Sequence, residues 1–146
     1  MKKELHFYLF IFILLLSGCK KEQEDSITPD TPEELIKGVW LNNSYHYILY
    51  RNGVKFEEDT DTGEGKVEFK NNRMYSTGPD GEHDEGTYTL KTDAGKTIIT
   101  ITANSQTEEV EITKLTKTEM VWLIKGSEID NGAIISSEEY HGFIKQ

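Results

Sequence analysis

The sequence predicts an all-β domain: an antiparallel up-and-down barrel of about eight strands, preceded by a signal peptide, a short tether and a short N-terminal helix. Three observations predict it. Apolar and polar residues alternate at period two through the second half of the chain. Turn signals recur at a spacing of about 9–13 residues from position 52 onward. No second helical pattern of any length follows position 38, and no repeat or parallel βαβ signature is present. Consecutive short strands joined by tight turns make a meander, and a meander removes its exposed edges by closing, so a barrel is preferred to a sandwich.

The N-terminal segment is different in kind. Lys2 and Lys3 open the chain, and an apolar run follows from Leu5 to Leu16, broken only by His6. As a helix rising roughly 1.5 Å per residue the run would reach about 18 Å, against a bilayer core of about 30 Å. It fits the apolar region of a signal peptide. Leu16-Ser17-Gly18-Cys19 comes next. Small residues admit a peptidase to the backbone, and the Cys19 sulfur is a lipid acceptor. This tetrapeptide resembles the lipobox read by bacterial lipoprotein signal peptidase. The resemblance implies that residues 1–18 are removed and that Cys19 carries a diacylglyceryl group and an N-acyl chain, enough for stable membrane anchoring. The alternative, a buried helix ending at Gly18, would need a large core around a continuous apolar stripe. Cys19 is the only cysteine, so the mature domain holds no disulfide, thiol nucleophile or Cys-based zinc site.

Residues 19–31 read as the lipidated Cys and a polar tether with almost nothing to bury. Glu22, Glu24 and Asp25 resemble the acidic signal that takes some Gram-negative lipoproteins to the outer face of the outer membrane; a solvated linker is the other reading. The expected location is the cell envelope, lipid-anchored at the outer membrane. The chain carries formal charge −10, and residues 1–18 hold Lys2, Lys3 and Glu4, net +1, which leaves about −11 on the mature part. Such a charge excludes the basic patch that nucleic acid binding needs, and it opposes a domain lying flat on anionic lipid.

The domain is expected to span residues 32–146. Thr31 followed by Pro32, Glu33 and Glu34 makes a capping box, and Gly38 can end the short helix it starts. Turns are expected at Asn52-Gly53, Asp61-Thr62-Gly63, Asn71-Asn72, Pro79-Asp80-Gly81, Asp93-Ala94-Gly95, Asn104-Ser105, Thr116-Lys117 and Asp130-Asn131-Gly132. Between them, Tyr88 and Leu90, Ile99 and Ile101, and Val110 and Ile112 alternate with Thr and Glu as half-buried strands do. Met120 to Ile124 is apolar on both faces, so both sides of that strand should be covered. The tail, with Ile134-Ile135 and Tyr140 to Ile144, reads as a further strand that completes the barrel.

Three motifs then carry a resemblance: Gly38-Val39-Trp40 after the short helix, Gly86-Thr87-Tyr88-Thr89, and Leu115-Thr116-Lys117-Thr118-Glu119 before an apolar strand. Together, over residues 32–125, they resemble the lipocalin-like domains of bacterial lipoproteins. The resemblance implies a barrel base built on Gly38 and Trp40, and an open end that binds a small apolar molecule. It also implies a basic residue on a late strand against the Trp; no Arg follows Arg73, so Lys125 would have to serve, or nothing does. Candidate cavity residues are Tyr45, Tyr47, Phe56, Phe69, Tyr75, Tyr88 and Trp122, with ordinary core packing as the other reading of each.

Chemistry beyond binding has little support in the residues. Asp59-Thr60-Asp61-Thr62-Gly63-Glu64 fails the calcium-loop pattern because its Gly comes one position early. Glu82-His83-Asp84-Glu85 reads as a turn with at most a weak surface metal site. His46 and His141 read as hydrogen-bonded strand residues. No nucleophile elbow, zincin helix or P-loop is present, so no enzyme, metal or cofactor is expected. An accessory protein with a filled barrel, acting through its outer surface on an unidentified protein partner, is the alternative to a ligand carrier.

Overall fold

A computed structural model describes residues 30–146. Cys19, the Leu16-Ser17-Gly18 motif and the tether acids lie outside the described residues. Helix α1 (Pro32–Leu35) starts as its sequence dictates, with Pro in the first turn and the Glu34 carboxylate accepting the Thr31 N–H at 3.1 Å. Nine strands follow: β1 (Gly38–Arg51), β2 (Val54–Asp61), β3 (Lys66–Lys70), β4 (Arg73–Thr77), β5 (His83–Asp93), β6 (Lys96–Ala103), β7 (Gln106–Leu115), β8 (Glu119–Asp130) and β9 (Ala133–Lys145).

Every predicted turn falls between two of these strands. Five are two-residue hairpin turns with positive φ at both positions, as at Asn52 (48°) and Gly53 (79°) or Asn131 (49°) and Gly132 (80°). Asn and Gly supply that backbone at little cost, which is why the sequence marks the turns so clearly.

All pairings are antiparallel. β3 through β9 pair in sequence order, β1 joins β3, and β9 pairs back onto β1, so eight strands close the barrel. The tail does complete the barrel. β2 stands outside the circuit. β1 pairs with β3 through residues 38–41 and with β2 through residues 45–51, while β9 covers its other edge from Trp40 to Arg51. The upper parts of β1, β9 and β8 therefore rise past the rim as an extension, edged by β2. β8 meets β7 only from Met120 to Leu123, then continues with β9 alone to Asp130.

The lower half of the barrel is packed solid. Ile36, Trp40, Ile99 and Met120 are fully buried, and Phe69 and Tyr88 meet edge to face at 4.9 Å. Trp40 closes the base, donating its indole N–H to the Ile36 carbonyl at 2.7 Å. The basic residue against it is Lys145, which corrects the expectation for Lys125. Lys145 Nζ sits 4.9 Å from the Trp40 ring and donates to the Leu35 carbonyl at 2.8 Å. β8 carries Lys125 upward onto the extension, where it pairs with Glu138 at 3.0 Å. β9 runs back down and ends with Lys145 directly opposite Trp40. Gly38 suits this junction, having φ +113° and Lys145 Cε 3.1 Å from where a Cβ would stand. On β8, Met120 and Trp122 face inward and Leu123 faces outward, yet all three are buried.

Candidate functional site: a cleft at the open end of the barrel

Above the packed half the interior opens. Inward-facing positions two apart on neighbouring strands build the cleft: Trp122 and Ile124 on β8, His141 and Phe143 on β9, Val67 on β3. Asn42, Glu64, Ser76 and Asp84 stand above them, and the space enclosed is about 300 Å³. Trp122 is its floor, tilted against Phe143 at 4.8 Å and edge to face with Phe69 of the lower core at 6.2 Å. A second recess of about 700 Å³ opens toward β6 and β7 between Met74, Ile101, Ala103 and Glu108, sharing Ser76, Asp84 and Trp122 with the first. A third, of about 410 Å³, adds Tyr45, Asp61 and Thr62 and shares Asn42, Glu64 and His141. These volumes are in the range that holds one small molecule.

Burial pushes the His141 imidazole below its ordinary pKa, opposed in part by the carboxylates of Glu139 and Glu108, so the ring is neutral at pH 7. Tyr45 lies 5.0 Å from that ring and donates to Glu139 at 3.3 Å; burial, then the carboxylate, raises its pKa. Asn42 Oδ1 is buried and has no hydrogen-bond partner. Gly63 packs so closely over it that any Cβ there would collide with the amide.

The seven aromatic candidates divide by position. Trp122 is in the cleft and Tyr45 at its edge. Tyr47 is on the inner face of the extension, donating to Glu57 at 2.6 Å. Phe69 and Tyr88 belong to the filled half. Phe56 and Tyr75 do not face the interior, which corrects two expectations. Phe56 is 52% exposed on β2, where a bulge opposite Leu49 and Tyr50 leaves it without a cross-strand partner. Tyr75 is on the outer face of β4, with the Arg73 guanidinium 6.0 Å from its ring, because Met74 takes the inner face.

Alternation also separates the Glu82 to Glu85 group. Asp84 faces the cleft beside Ser76, while outside the barrel His83 bonds Thr77 at 3.0 Å and Glu85 pairs with Arg73 at 2.7 Å. His46 contacts Glu58 at 2.9 Å on the extension, and Asp59 and Asp61 are strand residues of β2. Sequence reasoning missed Asn42, Ser76, Ile124, His141 and Phe143. Ile124 follows from Trp122 by period two, and His141 and Phe143 follow from the Asn131-Gly132 hairpin, which sets them opposite Trp122 and Met120; that Asn42 joins them follows only once β9 is known to close the barrel.

A family model described as lipocalin-like domain matches residues 36–122. Among solved structures, the chain is similar to a lipocalin-like protein from Bacteroides uniformis at 13% identity, over 76% of this chain and 98% of that one, with a TM-score of 0.48. No curated protein matches.

Proposed function

This chain belongs to the lipocalin-like domain family, and we propose that it is a non-catalytic, lipid-anchored protein of the cell envelope whose barrel binds a small apolar ligand at its open end. The observation that carries the binding reading is the cleft above Trp122, walled by Phe143, Val67 and Ile124. A floor of aromatic and aliphatic side chains loses water on contact with an apolar body at about 25 cal/mol per Å². Native mass spectrometry of the chain, released gently from its membrane, tests it. A small apolar molecule that leaves on denaturation is the expected result; a bare mass at every condition would count against a resident ligand.

The anchor rests on Leu16-Ser17-Gly18-Cys19 behind an apolar run. Cys19→Ser should move the protein from the membrane fraction to the soluble one and abolish incorporation of labelled fatty acid. Outer-membrane and surface placement rest on Glu22, Glu24 and Asp25. Protease added to intact cells should remove the domain if it faces outward and spare it if it faces the periplasm. One observation favours the accessory reading: Val54, Phe56, Ile129 and Ile134 are 52–79% exposed around the two hairpin tips of the extension.

A further inference from the structure

We propose that the open end selects a cationic amphiphile, an apolar body with an ammonium or guanidinium head; this rests on the ligand-binding reading above. The floor is apolar, from Trp122, Phe143, Met74 and Ile101. The rim is strongly acidic. Asp61, Glu64, Glu82, Asp84 and Glu108 line the three recesses, against Lys66 as the one Lys or Arg among their linings. None of these five acids forms an ion pair among the described residues.

Most of the domain's other cations are paired away from the mouth, and Lys37 and Lys70 stand outside the three recesses. Arg73 pairs with Glu85, Lys91 with Glu109, Lys96 with Glu111, and Lys125 with Glu138. Five exposed carboxylates against the single Lys66 repel one another and hold a negative potential over the apolar recess. A cation entering there relieves the repulsion, while a carboxylate head adds to it. Neutral His141 contributes no positive charge to offset the field.

Three probes with one apolar body separate the readings: decylammonium, decanol and decanoate, each kept below its aggregation concentration. The full chain is titrated with each while Trp fluorescence is followed; Trp122 reports on the cleft, and Trp40 is sealed in the base. Decylammonium is expected to bind about tenfold more tightly than decanoate at low salt, with decanol between them. The gap should narrow as salt approaches about 0.5 M, where exposed charges are screened. Glu64→Gln with Asp84→Asn should narrow it at low salt, and Lys66→Ala should widen it. Equal affinities, a preference for decanoate, or a gap indifferent to these substitutions overturns selection by charge and leaves the apolar-ligand reading standing. No binding of any probe overturns both.

Discussion

Lys145 shows how one side chain can join three parts of the fold. Its ammonium bonds the last carbonyl of α1 and covers the Trp40 ring, while its Cε crowds the place of a Cβ at Gly38. Desolvation lowers its pKa, so part of the gain is spent on burying the charge. Lys145→Met should still cost about 1–2 kcal/mol in urea unfolding, since it removes a charged hydrogen bond and a cation over a ring. Lys125→Met should cost under about 1 kcal/mol, because its pair with Glu138 is solvent-screened. Tyr47 makes a second prediction. Its hydrogen bond to Glu57, then desolvation, pushes its pKa up to about 12. The folded value lies above the ordinary 10.0, so this contribution is complete below pH 10 and is lost as pH rises through about 12. Ultraviolet titration should find Tyr47 among the tyrosines that ionise late, and Glu57→Gln should take one tyrosine out of that late phase.

Among the elements, β5 and β9 carry the sharpest tests. In β5, a Cβ on buried Gly86 would stand 2.6 Å from the Thr102 carbonyl oxygen of β6 and 3.0 Å from Ala103 Cβ. Backbone cannot yield there without opening the β5–β6 ladder. Gly86→Ala should therefore cost about 1–3 kcal/mol, read as a lower urea midpoint with unchanged slope. This gives the Gly of the Gly-Thr-Tyr-Thr motif a physical reason. In β9, the Glu138 carboxylate accepts from Tyr140 at 3.1 Å and Tyr50 at 3.4 Å and pairs with Lys125 at 3.0 Å, tying β1, β9 and β8 together above the rim. The Lys125 hydrogen bond is the main reason its pKa falls below 4.5. A lowered carboxylate stabilises above its unfolded pKa and loses that contribution as pH falls through its folded one. Glu138→Gln should flatten the acid side of the stability profile below about pH 5 and weaken the fold at neutral pH by up to about 1 kcal/mol, measured by urea unfolding across pH.

For the whole molecule, the division is between a filled base and an open upper half. Trp40, Ile99 and Met120 are fully buried in the base, whereas β2 is exposed along its whole length and Ile129 near the upper tip is 79% exposed. Local opening costs least where few apolar contacts must break. Amides of β2 and of β8 beyond Lys125 should exchange with deuterium orders of magnitude faster than those of Trp40, Ile99 and Met120. Equal protection throughout would mean that the extension is as cooperative as the barrel.

Much of this was legible in the residues because it is local. A two-residue turn needs positive φ, and Asn-Asn and Asn-Gly announce it; a half-buried strand needs period two, and Thr-Ile-Ile-Thr-Ile-Thr supplies it. Those signals determined the strands, the turns and the all-β class, and Gly38-Val39-Trp40 pointed to the base. What alternation cannot say is which face is inner. On β4 it offered Tyr75 or Met74, and closure chose Met74. Nor does it survive a bulge, which is why Phe56 was misplaced. Trp122 meets His141 within the β8–β9 hairpin, but the cleft also needs a pair far apart in sequence, Asn42 with Phe143, and the base needs another, Lys145 with Trp40. Only the closing of β9 onto β1 sets those pairs, because register between distant strands depends on the packing of the entire barrel and on no short stretch of sequence.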